Sequence, residues 1–162
     1  MSQGFLSHLR PTANMFRWGI NLWPPFWAAG IRVVELADDY SKAVVRLRLG
    51  LLNRNYFGTH FGGSLFAMTD PFHALLLLHN LPRGYIVWDK AAVIQFKSPG
   101  RGDVFARFQL SQQQIDEVLA ATANGEKFEP TWSVDVVDQK GTLIATIDKT
   151  LYIRRAQPAS MS

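Results

Sequence analysis

Between residues 62 and 79 the chain carries Leu65, Phe66, Met68, Phe72 and the run Leu75-Leu76-Leu77-Leu78, side chains that would cover nearly the whole circumference of a helix. A helix apolar on all sides needs cover on all sides. The rest of the chain must therefore wrap around this segment, and the material for doing so is β-like. Ile31–Leu36 and residues 43–49 read as strands, the second alternating Val45, Leu47 and Leu49 with Arg46 and Arg48, so that one face is buried and one is wet. Tyr85–Phe96 and residues 103–110, 127–137 and 142–153 supply four more β segments, with Asp138-Gln139-Lys140-Gly141 as a hairpin turn. Residues 111–123 read as a helix with Ser111 as its N-cap. Strands gathered round one buried helix predict an α+β fold, an antiparallel β-sheet wrapped around a long central helix. A single layer wrapped this way leaves its edges open, and open edges pair with other chains. A dimer with a continuous sheet is the expected completion.

The 162 residues suffice for one compact domain. Hydrophobic residues at 48% and charged residues at 19% exclude a disordered chain. Three stretches follow: residues 1–29 as an N-terminal helix and Pro/Trp-rich segment packed on the body, 30–155 as the domain, and 156–162 as a flexible tail. The first contains a helix over 11–23 that Pro24-Pro25 cannot continue. We read it as a lid; the alternative is a peripheral membrane contact through Trp18, Trp23, Phe26 and Trp27 with Arg17. The lid is preferred because the helix's polar face is thin in lysine and arginine. Cysteine is absent, which excludes disulfides, thiolate metal sites and a cysteine nucleophile. The net charge of +4 is spread along the chain, giving a general attraction for anions and no nucleic-acid partner. Low charge with 12% aromatic content points to a homodimer or dimer of dimers. No run approaches the ~18 apolar residues of a membrane span, and the start lacks a signal peptide's apolar core. The expected location is cytoplasmic.

The most informative stretch is Asn55-Tyr56-Phe57-Gly58-Thr59-His60-Phe61-Gly62-Gly63, with Asp70 and Pro71 beyond it. It resembles the hotdog-fold superfamily, specifically the acyl-CoA thioesterase-like branch that includes the phenylacetate-pathway and 4-hydroxybenzoyl-CoA thioesterases. Those enzymes carry Asn-x-x-Gly-x-x-His-Gly-Gly and an acidic residue seven positions past the second glycine. Asn55, Gly58, Gly62, Gly63 and Asp70 match at the same spacing. Phe61 stands where the histidine should be, with His60 beside it. The strand over 91–96 and the turn Lys97-Ser98-Pro99-Gly100-Arg101-Gly102-Asp103 also look like the family's. Overall the chain is most similar to a thioesterase-like subfamily of unassigned function.

The resemblance implies hydrolysis of an acyl-CoA or other acyl thioester, with no cofactor and no metal. An amide of Gly62 or Gly63 would polarise the carbonyl, and Asp70 would act as base or nucleophile. On a continuous helix these positions lie about 12 Å apart at 1.5 Å per residue, so the resemblance implies a site shared between two subunits. Asp before Pro is equally an N-cap signature, and Pro71 could restart or kink the helix. His73 either orients the Asp70 carboxylate, acts as a general acid, or is a core histidine. Asn55 either contacts substrate or closes a turn, and His60, Gly58 and Phe61 flank it as binding candidates. Lys97 and Arg101, with Arg54 beside them, could grip the phosphates of coenzyme A, or are solvated surface cations. Phe61, Leu65, Phe66, Met68, Phe72 and Trp88 could line an acyl tunnel, or are ordinary core. Loss of the motif histidine leaves a second functional reading open, a non-catalytic acyl-CoA or lipid-binding protein.

Overall fold

The computed structural model describes residues 12–156; the first eleven residues and 157–162, which include most of the expected tail, lie outside the described residues. Helix α1, Ala13–Leu22, is capped by Thr12. Pro24-Pro25 ends it as expected, but these prolines also open a second helix, α2, Pro24–Ala29, where a missing N–H costs nothing in the first turn. Gly30 closes α2 in the left-handed region, at φ 78°.

Strands β1, Ile31–Leu36, and β2, Lys42–Leu47, form the first hairpin. The buried segment follows as two helices instead of one: α3, Gly62–Ala67, and α4, Phe72–Asn80. Four residues ending at the Asp70-Pro71 pair break the run, because proline lacks the N–H that would continue the ladder. Then come β3, Tyr85–Phe96, β4, Val104–Gln109, and helix α5, Gln112–Ala121. Ser111 caps α5 within a capping box completed by Gln114. The stretch read as one strand over 127–137 is split by Glu129-Pro130 into β5, Lys127–Phe128, and β6, Thr131–Asp138. The Asp138 carboxylate closes the final hairpin by accepting from the amides of Lys140 and Thr142, with Gly141 at φ 83°. Strand β7, Leu143–Arg155, ends the described chain.

All pairings are antiparallel, and the sheet order is β1-β2-β4-β6-β7-β3, with β5 on β7. The α+β expectation is met: the sheet's concave face closes on α4, whose Phe72, Leu76 and Leu77 are buried with Val45 and Leu47 of β2 and Ile147 and Leu151 of β7. Phe72 sits between Phe26 of α2 and Phe108 of β4, so the N-terminal helices share the same core. Side chains on β7 alternate with the period of 2 that a half-covered strand requires. One inward position in that alternation is Lys149.

Candidate active site

The loop before α3 is built by Asn55. Its side-chain amide donates to the Thr59 hydroxyl and the His60 carbonyl, and its oxygen accepts from the amides of Phe57 and Thr59. The turn-closing role therefore absorbs the Asn55 side chain. Gly58 supplies the left-handed residue of the turn, at φ 71°. His60 fastens this loop to the next one. Its backbone amide donates to the Gly100 carbonyl, and its Nε2–H donates to the Gly102 carbonyl at 2.7 Å. A methyl group on Gly100 would lie 2.8 Å from the His60 ring, so glycine is required there. Burial pulls the His60 pKa below its ordinary value, partly offset by the Gly102 carbonyl and Asp103, and Nδ1 is buried without a partner.

Where the two loops meet α3 they enclose a groove of about 430 Å³ lined by Asn55, Thr59, His60, Gly62, Leu65 and Phe96, with Lys97 to Gly100 along one side. Gly62 permits this: a methyl group there would lie 2.9 Å from the Phe96 ring. Phe61 precedes the helix, largely exposed, and its ring lies against Gly63, where a side chain would have to push the ring aside. The α3 ladder begins with the Ser64 and Leu65 amides, both bonded to the Phe61 carbonyl. Among the described residues the amides of Gly62 and Gly63 have no acceptor, which is the ordinary state of a helix's first turn.

Asp70 is not a wall of this groove. It does not cap α4 either: Pro71 occupies the N-cap position, and no side chain caps that end. The Asp70 carboxylate instead accepts from Lys149 Nζ at 2.8 Å. The same ammonium donates to Asp89 of β3 at 2.5 Å and lies 5.2 Å from the centre of the Phe66 ring. The Lys149 side chain is 2% exposed, whereas Asp70 is 48% exposed and Asp89 19%. The cluster is thus an interior cation holding two carboxylates, Asp89 partly buried and Asp70 half in solvent. Burial raises the Asp89 pKa above the usual carboxylate range, opposed by Lys149 and assisted by the neighbouring Asp70.

His73 packs edge-on against Phe108 and Trp132. Burial, reinforced by the Lys149 charge, pushes its pKa down to about 4, so it is neutral at pH 7. The tunnel candidates separate. Phe72 and Met68 are fully buried core, Leu65 lines the groove, and Trp88 lies on the sheet's outer face, stacked on Tyr152 at 4.4 Å. Lys97 sits at the groove and donates to Gln95, whereas Arg101 is exposed beyond its lining. No group of three His, Cys, Asp or Glu side chains suited to a metal occurs among the described residues.

Lys149 and Asp89 were not singled out from the sequence. For Lys149 a signal existed: it falls in phase with Ile147, Leu151 and Ile153, the inward set of β7. A lysine in such a set must find an acid or remain an uncompensated buried charge. Asp89 carried no comparable mark, because its pairing depends on which strands become neighbours.

Solved structures share this fold. A Pseudomonas aeruginosa protein of unknown function is 18% identical, covering 91% of this chain and 99% of its own, with a TM-score of 0.77. A thioesterase from Haemophilus influenzae is 16% identical over 96% of this chain and 99% of its own, with a TM-score of 0.66. A protein of the phenylacetic acid degradation operon of E. coli is 19% identical over 90% and 97%, with a TM-score of 0.59. No curated protein matches the sequence. The fold is the hotdog fold. Residues 12–153 match the model of a domain of unknown function, DUF4442, and the chain belongs to that family.

Proposed function

We propose that the protein hydrolyses an acyl thioester at a site made by two copies of the chain. The groove beside α3 carries this reading: it is an open cleft lined by Gly62, at the end of α3 whose first amides are unpaired, it is large enough for the end of an acyl group, and it has Lys97 along its side. The thioesterase from Haemophilus influenzae, of like fold, supports the reaction class. The carbonyl oxygen accepts from the α3 amides, which stabilise the negative charge that develops when the carbon is attacked. Asp70 of the second copy takes a proton from water as the water oxygen bonds to the carbonyl carbon, the carbon–sulfur bond then breaks, and the protonated Asp70 returns that proton to the departing thiolate. Lys149 fixes the orientation of that carboxylate from inside the protein. Lys97, with Arg101 further out, attracts the phosphates of a coenzyme A leaving group. The oligomer expected is a homodimer or dimer of dimers.

Asp70→Asn tests the mechanism. It should lower thioester turnover by ~10²-fold or more while folding is retained, measured as free thiol released from a panel of acyl-CoA substrates. Near wild-type turnover in that variant refutes it. The position of Phe61 favours a second reading. Its ring lies against Gly63 where the family motif places histidine, which supplies an apolar wall in place of a polar donor. If the panel releases no thiol while acyl-CoA raises the melting temperature, the chain is a binding protein.

A further inference from the structure

A second uncovered apolar surface lies away from the groove, where α1, α2 and the loop after β2 come together. Trp18, Leu22 and Trp27 are each about two-thirds exposed or more, Leu51 is 78% exposed, and Leu52 is wholly exposed. The surface is held firmly. Asn53 donates to the carbonyls of Ala29 and Arg48 and accepts from the Gly50 amide, tying the Leu51-Leu52 loop to the end of α2.

The fold adds cations that the helix alone lacks. Arg32 and Arg46 stand directly opposite each other on β1 and β2, and Arg48 follows on the same strand line. With Trp27 these arginines line a cleft of about 230 Å³, which continues past Arg17, Trp18 and Leu22 into a groove of about 380 Å³. Like charges placed opposite each other across two strands destabilise a sheet unless an anion intervenes. The acid present is Asp103, 3.8 Å from one Arg46 nitrogen. Arg46 Nε is buried with no acceptor, and Arg32 and Arg48 make no side-chain hydrogen bond among the described residues.

We propose that this face docks on an anionic phospholipid bilayer, with Trp18, Leu22, Trp27, Leu51 and Leu52 entering the boundary between headgroups and acyl chains and the four arginines meeting the lipid phosphates. Both halves of the surface then lose what makes them costly in water: the apolar side chains leave it, and the arginines gain acceptors. The side chains come from three separate segments and protrude, so a protein partner would need a cavity shaped to each, whereas a bilayer needs none. A second copy of the chain docked through the same patch would gather the arginines of both copies in one interface, because a two-fold interface uses one surface twice. No helix among the described residues is long and apolar enough to cross a membrane, so the contact is with the surface.

The test is co-sedimentation of the full chain with vesicles of phosphatidylcholine alone and vesicles containing phosphatidylglycerol, read also by tryptophan emission. Binding should require phosphatidylglycerol, weaken with added salt, and shift the emission to shorter wavelength. Arg32→Gln and Arg48→Gln should each weaken it about fivefold, and Trp27→Ser should weaken it about tenfold, with melting temperatures near that of the wild type. Equal binding to both vesicle types overturns the proposal, as does no binding to either. Binding of a soluble short-chain phosphatidylglycerol without vesicle binding would make the cleft a small-molecule site and overturn it too. Trp27→Ser lowering the oligomeric state would assign the face to a protein contact instead. The wild-type comparison of the two vesicles stands even if a variant fails to fold.

Discussion

Strand β1, at one end of the sheet, gives its outward amide and carbonyl at Val33 to a single side chain: Asn21 accepts from the amide at 2.7 Å and donates to the carbonyl at 3.0 Å. Arg17 of the same helix donates to the next carbonyl, Val34. At the other end, β3 runs twelve residues with β7 on one side and no strand on the other among the described residues. Ile86, Trp88, Val93 and Phe96 along it are exposed. A helix thus stands in for a missing neighbour at β1, while the longer and more apolar edge is left bare. Bare edges of this kind are templates for another chain, so in the proposed dimer β3 is the edge expected to pair.

The largest effect expected bears on what holds the bare strand in place. Lys149→Met removes the cation between Asp89 of β3 and Asp70 and leaves two carboxylates facing each other, Asp89 with only 19% of its side chain exposed. Breaking a buried ion pair from one side costs about 3–5 kcal/mol. Thermal unfolding should show that loss, and adding Asp89→Asn should restore part of it; a change under about 1 kcal/mol would mean that the cluster contributes no more than a surface pair.

Next comes the bare edge itself. Val93→Glu puts a charge on β3 twice in a two-fold dimer and should weaken self-association about a hundredfold, as measured by sedimentation equilibrium. The monomer should keep its stability, because Val93 is already largely in water. Unchanged association would move the dimer contact elsewhere and with it the shared site. The smallest effect is at the covered edge. Asn21→Ala removes both bonds to Val33 and should cost about 1–2 kcal/mol without changing the dimer constant. New higher oligomers in that variant would show that Asn21 also blocks unwanted pairing.

Much of this was legible in the residues, and for identifiable reasons. The alternation around Val45 and Leu47 and the turn at Asp138 are local patterns, and each became the element it suggested. The apolar run over 62–79 marked the helix that the sheet encloses. It did not show that the helix stops after Met68, because apolar pattern is blind to the backbone. Pro71 was the available sign, and the restart it suggested is present, but Asp70 serves Lys149 instead of the helix end. Trp88 shows the same limit: its size suggested a pocket, and the register of β3 on β7 turned it to the opposite face. The candidate site was legible where it is contiguous in sequence, from Asn55 to Gly63. Asp89 and Lys149 lie 60 residues apart and meet only through strand order.

The break in the central helix also bears on the order in which the molecule assembles. Six residues in α3 and nine in α4 are each below the ~12–15 needed for a helix to persist alone in water. Neither can serve as a preformed rod on which strands condense. Pairing of β6 with β7 joins neighbours through a short turn and closes a small loop, so, like the β1–β2 hairpin, it is among the least costly contacts to form. Hydrogen-exchange protection during refolding should therefore reach β6 and β7 before α4. The segment at the centre of the finished fold is then among the last to become helical.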